Sequence, residues 1–132
     1  MHGIRVSTVN ISAPDPPALA AFYARLLDWE VVVDEGKWVL LRGPESVGIS
    51  FEYDEQYQPP VWPTESGQAP MQLHLEVRVT DLAGATAHAL ECGATLAQYQ
   101  PQDDVRVCLD PAGHPFCLWL DEETDDESGE DS

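Results

Sequence analysis

Basic residues are scarce. The chain of 132 residues carries 6 Lys and Arg against 24 Asp and Glu, for a formal net charge of −18. A surface this acidic is repelled by phosphate backbones and by anionic lipid, so neither nucleic acid nor a membrane is an expected partner. Cationic small molecules are favoured, although screening limits that pull to ~8 Å at physiological salt. Cysteine is sparse as well. Cys92, Cys108 and Cys117 are odd in number and none has C-x-x-C spacing, which argues against a disulfide framework and for free thiols in a reducing compartment. No apolar run approaches the ~18 residues of a membrane span. The opening MHGIRVSTVN lacks the apolar stretch of a signal peptide, so the expectation is a cytoplasmic protein.

Part of the charge is local. Residues 121–132, DEETDDESGEDS, hold eight of the acids and no base, and are expected to form a disordered acidic tail. The preceding residues, 1–120, suit one domain at ~100–200 residues per domain.

The first helix is the clearest element. Leu19, Phe22, Tyr23, Leu26 and Leu27 recur at helical spacing, Asp15 is a good N-cap, and Pro16 suits the first turn. Strands are expected at Glu30–Asp34, Trp38–Leu41 and Val47–Tyr53. Residues 56–70 hold Pro59, Pro60, Pro63, Gly67 and Pro70 and read as an extended connection carrying Tyr57 and Trp62. The pattern then repeats. A strand is expected over Met71–Val79, a helix over Asp81–Cys92 with Leu82, Ala85, Ala89 and Leu90 as its apolar face, and strands at Ala94–Tyr99, Val105–Leu109 and Phe116–Leu120.

VNISAPDPPALAAFYARLLD and LEVRVTDLAGATAHALECG match in element order, with Asp15 opposite Asp81. The chain therefore reads as an internal duplication. The expected fold is α+β: paired βαβββ modules, about 1–55 and 71–120, forming a cupped mixed sheet around a cleft. Strand parity sends Thr8, Asn10 and Ser12 to the cup, along with Gln72, His74, Glu76 and Arg78, while Leu73, Leu75, Val77 and Val79 pack inward. Cys117 and Trp119 share a face of the last strand.

Four stretches, APDPPALAAFYARLLDWEV, YQPPVWP, MQLHLEVRVTDLAGATAHALECGAT and LDPAGHPFCLWL, together resemble the vicinal oxygen chelate superfamily. That superfamily includes glyoxalase I, bleomycin-resistance proteins and extradiol dioxygenases, and the chain is most similar to its glyoxalase-like branch. The resemblance implies a homodimer. In the metal enzymes of the superfamily it also implies a divalent ion held by one side chain from each of four strands. The matching positions here are Thr8, Ser50 (or Glu52 with a slipped register), His74 and Cys117. Only His74 is a clear match, and one imidazole with weak oxygen partners does not hold Zn, Ni, Mn or Fe tightly. No cofactor is therefore expected. A Glu52, His74, Cys117 metal set is the minority alternative.

The expected ligand-binding residues are Thr8, Asn10, Ser50, Glu52, Trp62, His74, Glu76, Cys117 and Trp119, with Trp62 and Trp119 as stacking surfaces. His74, Glu52 and Glu76 are the candidate acid–base groups. Cys117 could be a reactive thiol but reads more simply as a small buried hydrophobe. The leading expectation is a protein that holds an aromatic or cationic organic molecule without a catalytic metal, in a drug-sequestering role. The alternatives are a metal-dependent glyoxalase-type lyase, isomerase or dioxygenase, and a metal-free acid–base enzyme.

Overall fold

Asp15 and Asp81 each begin a helix in the same way. In the computed structural model, which describes residues 2–44 and 47–121, each carboxylate accepts a hydrogen bond from a backbone N–H three residues on: Ala18 at 3.3 Å and Gly84 at 3.0 Å. Helix α1 spans Pro16–Leu27 and ends where Asp28 turns left-handed. Helix α2 spans Leu82–Cys92 and ends at Gly93, whose φ of 123° is open to glycine. The expected acidic tail, apart from Asp121, lies outside the described residues.

The chain divides into two compact units, Met1–Gln58 and Pro59–Ser132, and each is a βαβββ module. In the first, β1 (Thr8–Ala13), β2 (Glu30–Asp34), β3 (Trp38–Arg42) and β4 (Gly48–Tyr53) form a sheet of order β1-β4-β3-β2. The β1–β4 pair is parallel and the other pairs are antiparallel. Its core holds Leu19, Phe22, Tyr23, Val39, Leu41 and Phe51, with the Tyr23 and Phe51 rings stacked at 5.7 Å.

In the second unit, β5 (Leu75–Val79), β6 (Thr95–Leu96), β7 (Val105–Leu109) and β8 (Pro115–Leu120) take the order β5-β8-β7-β6, again with one parallel pair, β5–β8. Ala89, Cys92, Val107, Cys108, Phe116 and Leu118 are buried here. The Asp110 carboxylate accepts from the N–H groups of Ala112 and His114, which fixes the turn between β7 and β8.

Three expectations are corrected. The strand expected from Met71 begins only at Leu75, and Leu73 is 85% exposed instead of packed inward. The ladder pairs Leu75 with Phe116, so His74 would next meet Pro115, which has no N–H to give. The strand expected over Ala94–Tyr99 is cut to Thr95–Leu96. Gln100 takes over its ladder: the side-chain amide donates to the carbonyls of Ala97 and Val107 and accepts from the Val107 N–H. Leu90 is exposed, because α2 buries the stripe through Ala89 and Cys92.

Candidate ligand pocket

The sheet of the second unit sets one row of side chains across three strands. Register pairs Glu76 with Cys117 and Cys117 with Val107, and one step along pairs Arg78 with Trp119 and Trp119 with Val105. His74 precedes Glu76 by two residues and comes to the same side. Its Nε2 lies 2.6 Å from Glu76 Oε2. The imidazole side chain is 21% exposed and the carboxylate side chain 53%. Arg78 is engaged elsewhere, 3.8 Å from Asp121.

Residues 59–70 fold back above this row. The Val61 N–H donates to the Ala69 carbonyl at 2.8 Å, and Thr64 Oγ1 donates to the Val61 carbonyl at 2.6 Å. This brings Trp62 against His74, ring centroids 4.9 Å apart, and against the edge of Tyr99 at 5.3 Å. The result is a pocket of about 380 Å³ whose lining includes Trp62, Tyr99, His74, Glu76 and Cys117. That volume falls in the range of small-molecule sites.

Of the expected ligand-binding residues, Trp62, His74, Glu76 and Cys117 meet in this pocket. Trp119 lies on the same sheet face, one register pair beyond Cys117. Thr8, Asn10, Ser50 and Glu52 belong to the first unit, where they form a polar row across β1 and β4. Thr8 Oγ1 donates to Ser50 Oγ, Ser50 Oγ donates to Asn10 Oδ1 at 2.8 Å, and Asn10 Nδ2 donates to Glu52 Oε1 at 2.8 Å. The sequence reading missed Tyr99, Gln102, Val105 and Val107. The two valines were within reach: pairing β7 with β8 across the DPAGHP turn puts alternate β7 residues on the Cys117 face.

Cys117 is 3% exposed. Burial, then the Glu76 carboxylate, then Cys108 push its thiol up to about 11. That is the reverse of a nucleophilic cysteine, which needs a lowered pKa.

The resemblance implies a divalent ion bound by one side chain per strand from four strands. The first-unit positions fit it poorly. Thr8 and Ser50 offer neutral hydroxyls tied into the polar row, and Glu52 is held by Asn10. The second-unit positions, His74 and Cys117, carry good donor atoms.

The glyoxalase-like domain model matches residues 8–119. No protein of curated function matches the chain. Among solved structures, a glyoxalase/bleomycin resistance protein/dioxygenase family enzyme from Burkholderia phytofirmans PsJN is similar, with a TM-score of 0.67 and 21% identity over 87% of this chain and 97% of that one. The glyoxalase family protein from Enterococcus faecalis gives 0.66 and 20%, covering 90% and 99%. TnmS3, an antibiotic binding protein from Streptomyces sp. CB03234, gives 0.61 and 17%, covering 91% and 98%. At these identities the likeness is one of fold.

Proposed function

The chain belongs to the glyoxalase-like domain family, within the vicinal oxygen chelate superfamily, and on that premise we propose that it binds a small organic molecule with an aromatic or cationic group in the Trp62–Tyr99 pocket. One observation carries the reading. Two aromatic rings set edge to face meet a half-exposed carboxylate, Glu76, that lies 2.6 Å from the His74 imidazole. Aromatic faces and a carboxylate together favour a planar or protonated amine ligand, with stacking and cation–π contacts worth about 0.5–2 kcal/mol each. The acidic composition points the same way. These contacts are stacking, cation–π and charge-assisted hydrogen bonds, made by the protein's own side chains. The fold likeness to an antibiotic-binding protein supports a sequestering role.

The test is a fluorescence titration of chelator-treated protein against planar cationic and planar neutral compounds, beside Trp62→Ala and Glu76→Gln. The expected result is saturable quenching that is lost in Trp62→Ala and weakened for cations in Glu76→Gln. If no compound saturates, or if quenching persists unchanged in Trp62→Ala, the reading fails.

A second reading rests on the 2.6 Å contact between His74 and Glu76. Such a pair can hold and pass a proton, as a metal-free acid–base enzyme requires. Its test is the exchange of carbon-bound hydrogen in a bound compound in D₂O, expected in the parent and lost in Glu76→Gln.

A further inference from the structure

His74, Glu76 and Cys117 do more than line a pocket. One ligating atom from each, an imidazole nitrogen, a carboxylate oxygen and the thiol sulfur, lie within 4.8 Å of one another. We infer that these three side chains form a binding site for a borderline-soft divalent cation of the zinc class.

The backbone holds the site. Glu76 and Cys117 are register partners on adjacent parallel strands, and His74 stands two residues before Glu76. In a tetrahedral zinc site, metal–nitrogen and metal–oxygen bonds of about 2.0–2.2 Å and a metal–sulfur bond of about 2.3 Å set the donor atoms roughly 3.2–3.8 Å apart. His74 Nε2 and Glu76 Oε2, now 2.6 Å apart, must separate by roughly an ångström to meet that spacing. Glu76 can make that move by side-chain rotation, because it is half exposed. The sulfur, nearly fully buried on β8, is the fixed donor.

The donor set also selects the ion. One nitrogen, one sulfur and one oxygen suit zinc, cobalt or nickel, and disfavour magnesium and calcium, which take oxygen ligands. The reaction balances simply. The hydrated dication exchanges waters for the three side chains, and the Cys117 thiol loses its proton to solvent as the metal–sulfur bond forms. The His74 ring places its remaining hydrogen on the other nitrogen. Thiolate and carboxylate together offset the ion's two charges.

This set is not the one the resemblance implies. That set draws one side chain from each of four strands and takes Thr8 and Ser50 or Glu52 from the first unit. The set inferred here comes from β5 with its preceding residue and from β8, all in the second unit, and its new member is Glu76. The site shares side chains with the proposed ligand pocket but does not rest on that reading.

The test offers Zn²⁺ and Co²⁺ separately to chelator-treated protein, counts ions by calorimetry, and records the cobalt spectrum. One ion per chain is expected, with a thiolate-to-cobalt charge-transfer band and the visible bands of tetrahedral cobalt. Cys117→Ser should abolish the charge-transfer band. Glu76→Gln, at a half-exposed position that tolerates substitution, should weaken affinity at least tenfold, as should His74→Ala. Melting curves of the metal-free variants check folding. The inference is overturned if no ion is retained, if the band survives Cys117→Ser, or if Glu76→Gln binds like the parent. Loss of binding in Glu52→Gln would point to the four-strand set, and loss in His88→Ala to helix α2, where Cys92 Sγ lies 3.8 Å from His88 Nε2; either overturns it. The organic titration is run without metal, so its outcome stands apart from this one.

Discussion

Glu76 Oε2 lies 2.6 Å from His74 Nε2, yet the carboxylate side chain keeps 53% of its surface in water. Ion pairs and hydrogen bonds so exposed contribute about 0–1 kcal/mol to stability. Glu76→Gln should therefore shift the urea midpoint hardly at all while altering binding of cations. A large loss of stability would mean that the pair is structural, and the pocket reading would lose its central residue.

The polar row of the first unit behaves differently because its middle member is buried. Ser50 is 1% exposed, donates to Asn10 and accepts from Thr8. Ser50→Ala leaves both partners short of a hydrogen bond and should cost about 1–3 kcal/mol in urea unfolding. Thr8→Val combined with Ser50→Ala should cost less than the sum of the two, since one shared bond is lost only once.

Gly43 is demanded by contact. The Trp29 indole lies against it so closely that a Cβ at this position would overlap the indole Nε1 and Cδ1 atoms. Gly43→Ala must push the ring aside, and overpacking of this kind costs about 1–3 kcal/mol. A shift in tryptophan emission together with a lower urea midpoint is the expected outcome. An unchanged spectrum and midpoint would show that the ring moves freely.

Much of the fold was legible because its signals are local. Asp15 and Asp81 announce their helices, and the strand Val105–Leu109 follows from alternation and the turn after it. What was illegible depends on pairing partners. Nothing in Met71–His74 reveals that the ladder stops opposite Pro115. Nothing in Ala97–Tyr99 reveals that Gln100 replaces the backbone of the missing strand. The pocket was half legible for the same reason: parity placed His74, Glu76 and Cys117 on one face, but Tyr99 reaches it from a connection whose path no periodicity encodes.

The exposure of Leu73 carries a prediction of its own. At 85% exposed it buries almost nothing, so Leu73→Ser should change stability by less than about 0.5 kcal/mol. Phe116, wholly buried on the interior strand β8, should lose about 3–5 kcal/mol as Phe116→Ala. A Leu73→Ser loss approaching that of Phe116→Ala in urea unfolding would restore the inward-facing strand.

Cys108 makes stability fall in alkali. It is fully buried, and that burial pushes its thiol from 9.0 up to about 11, with nearby Arg106 opposing part of the rise. Between those values the folded chain keeps a proton that the unfolded chain has released. Unfolding then gives up a proton, so stability is complete below about pH 9 and falls as pH rises toward 11. One such proton is worth up to about 1.4 kcal/mol per pH unit. Cys117 shifts in the same direction, so the parent combines two such declines. Cys108→Ala should start lower at neutral pH, because it leaves a small void. It should then decline less steeply above pH 9, so that its deficit narrows as alkali increases. Urea unfolding at intervals from pH 7 to 11 measures both curves. Parallel curves would show that the Cys108 thiol titrates alike in the folded and unfolded chains, and that its burial does not hold the proton.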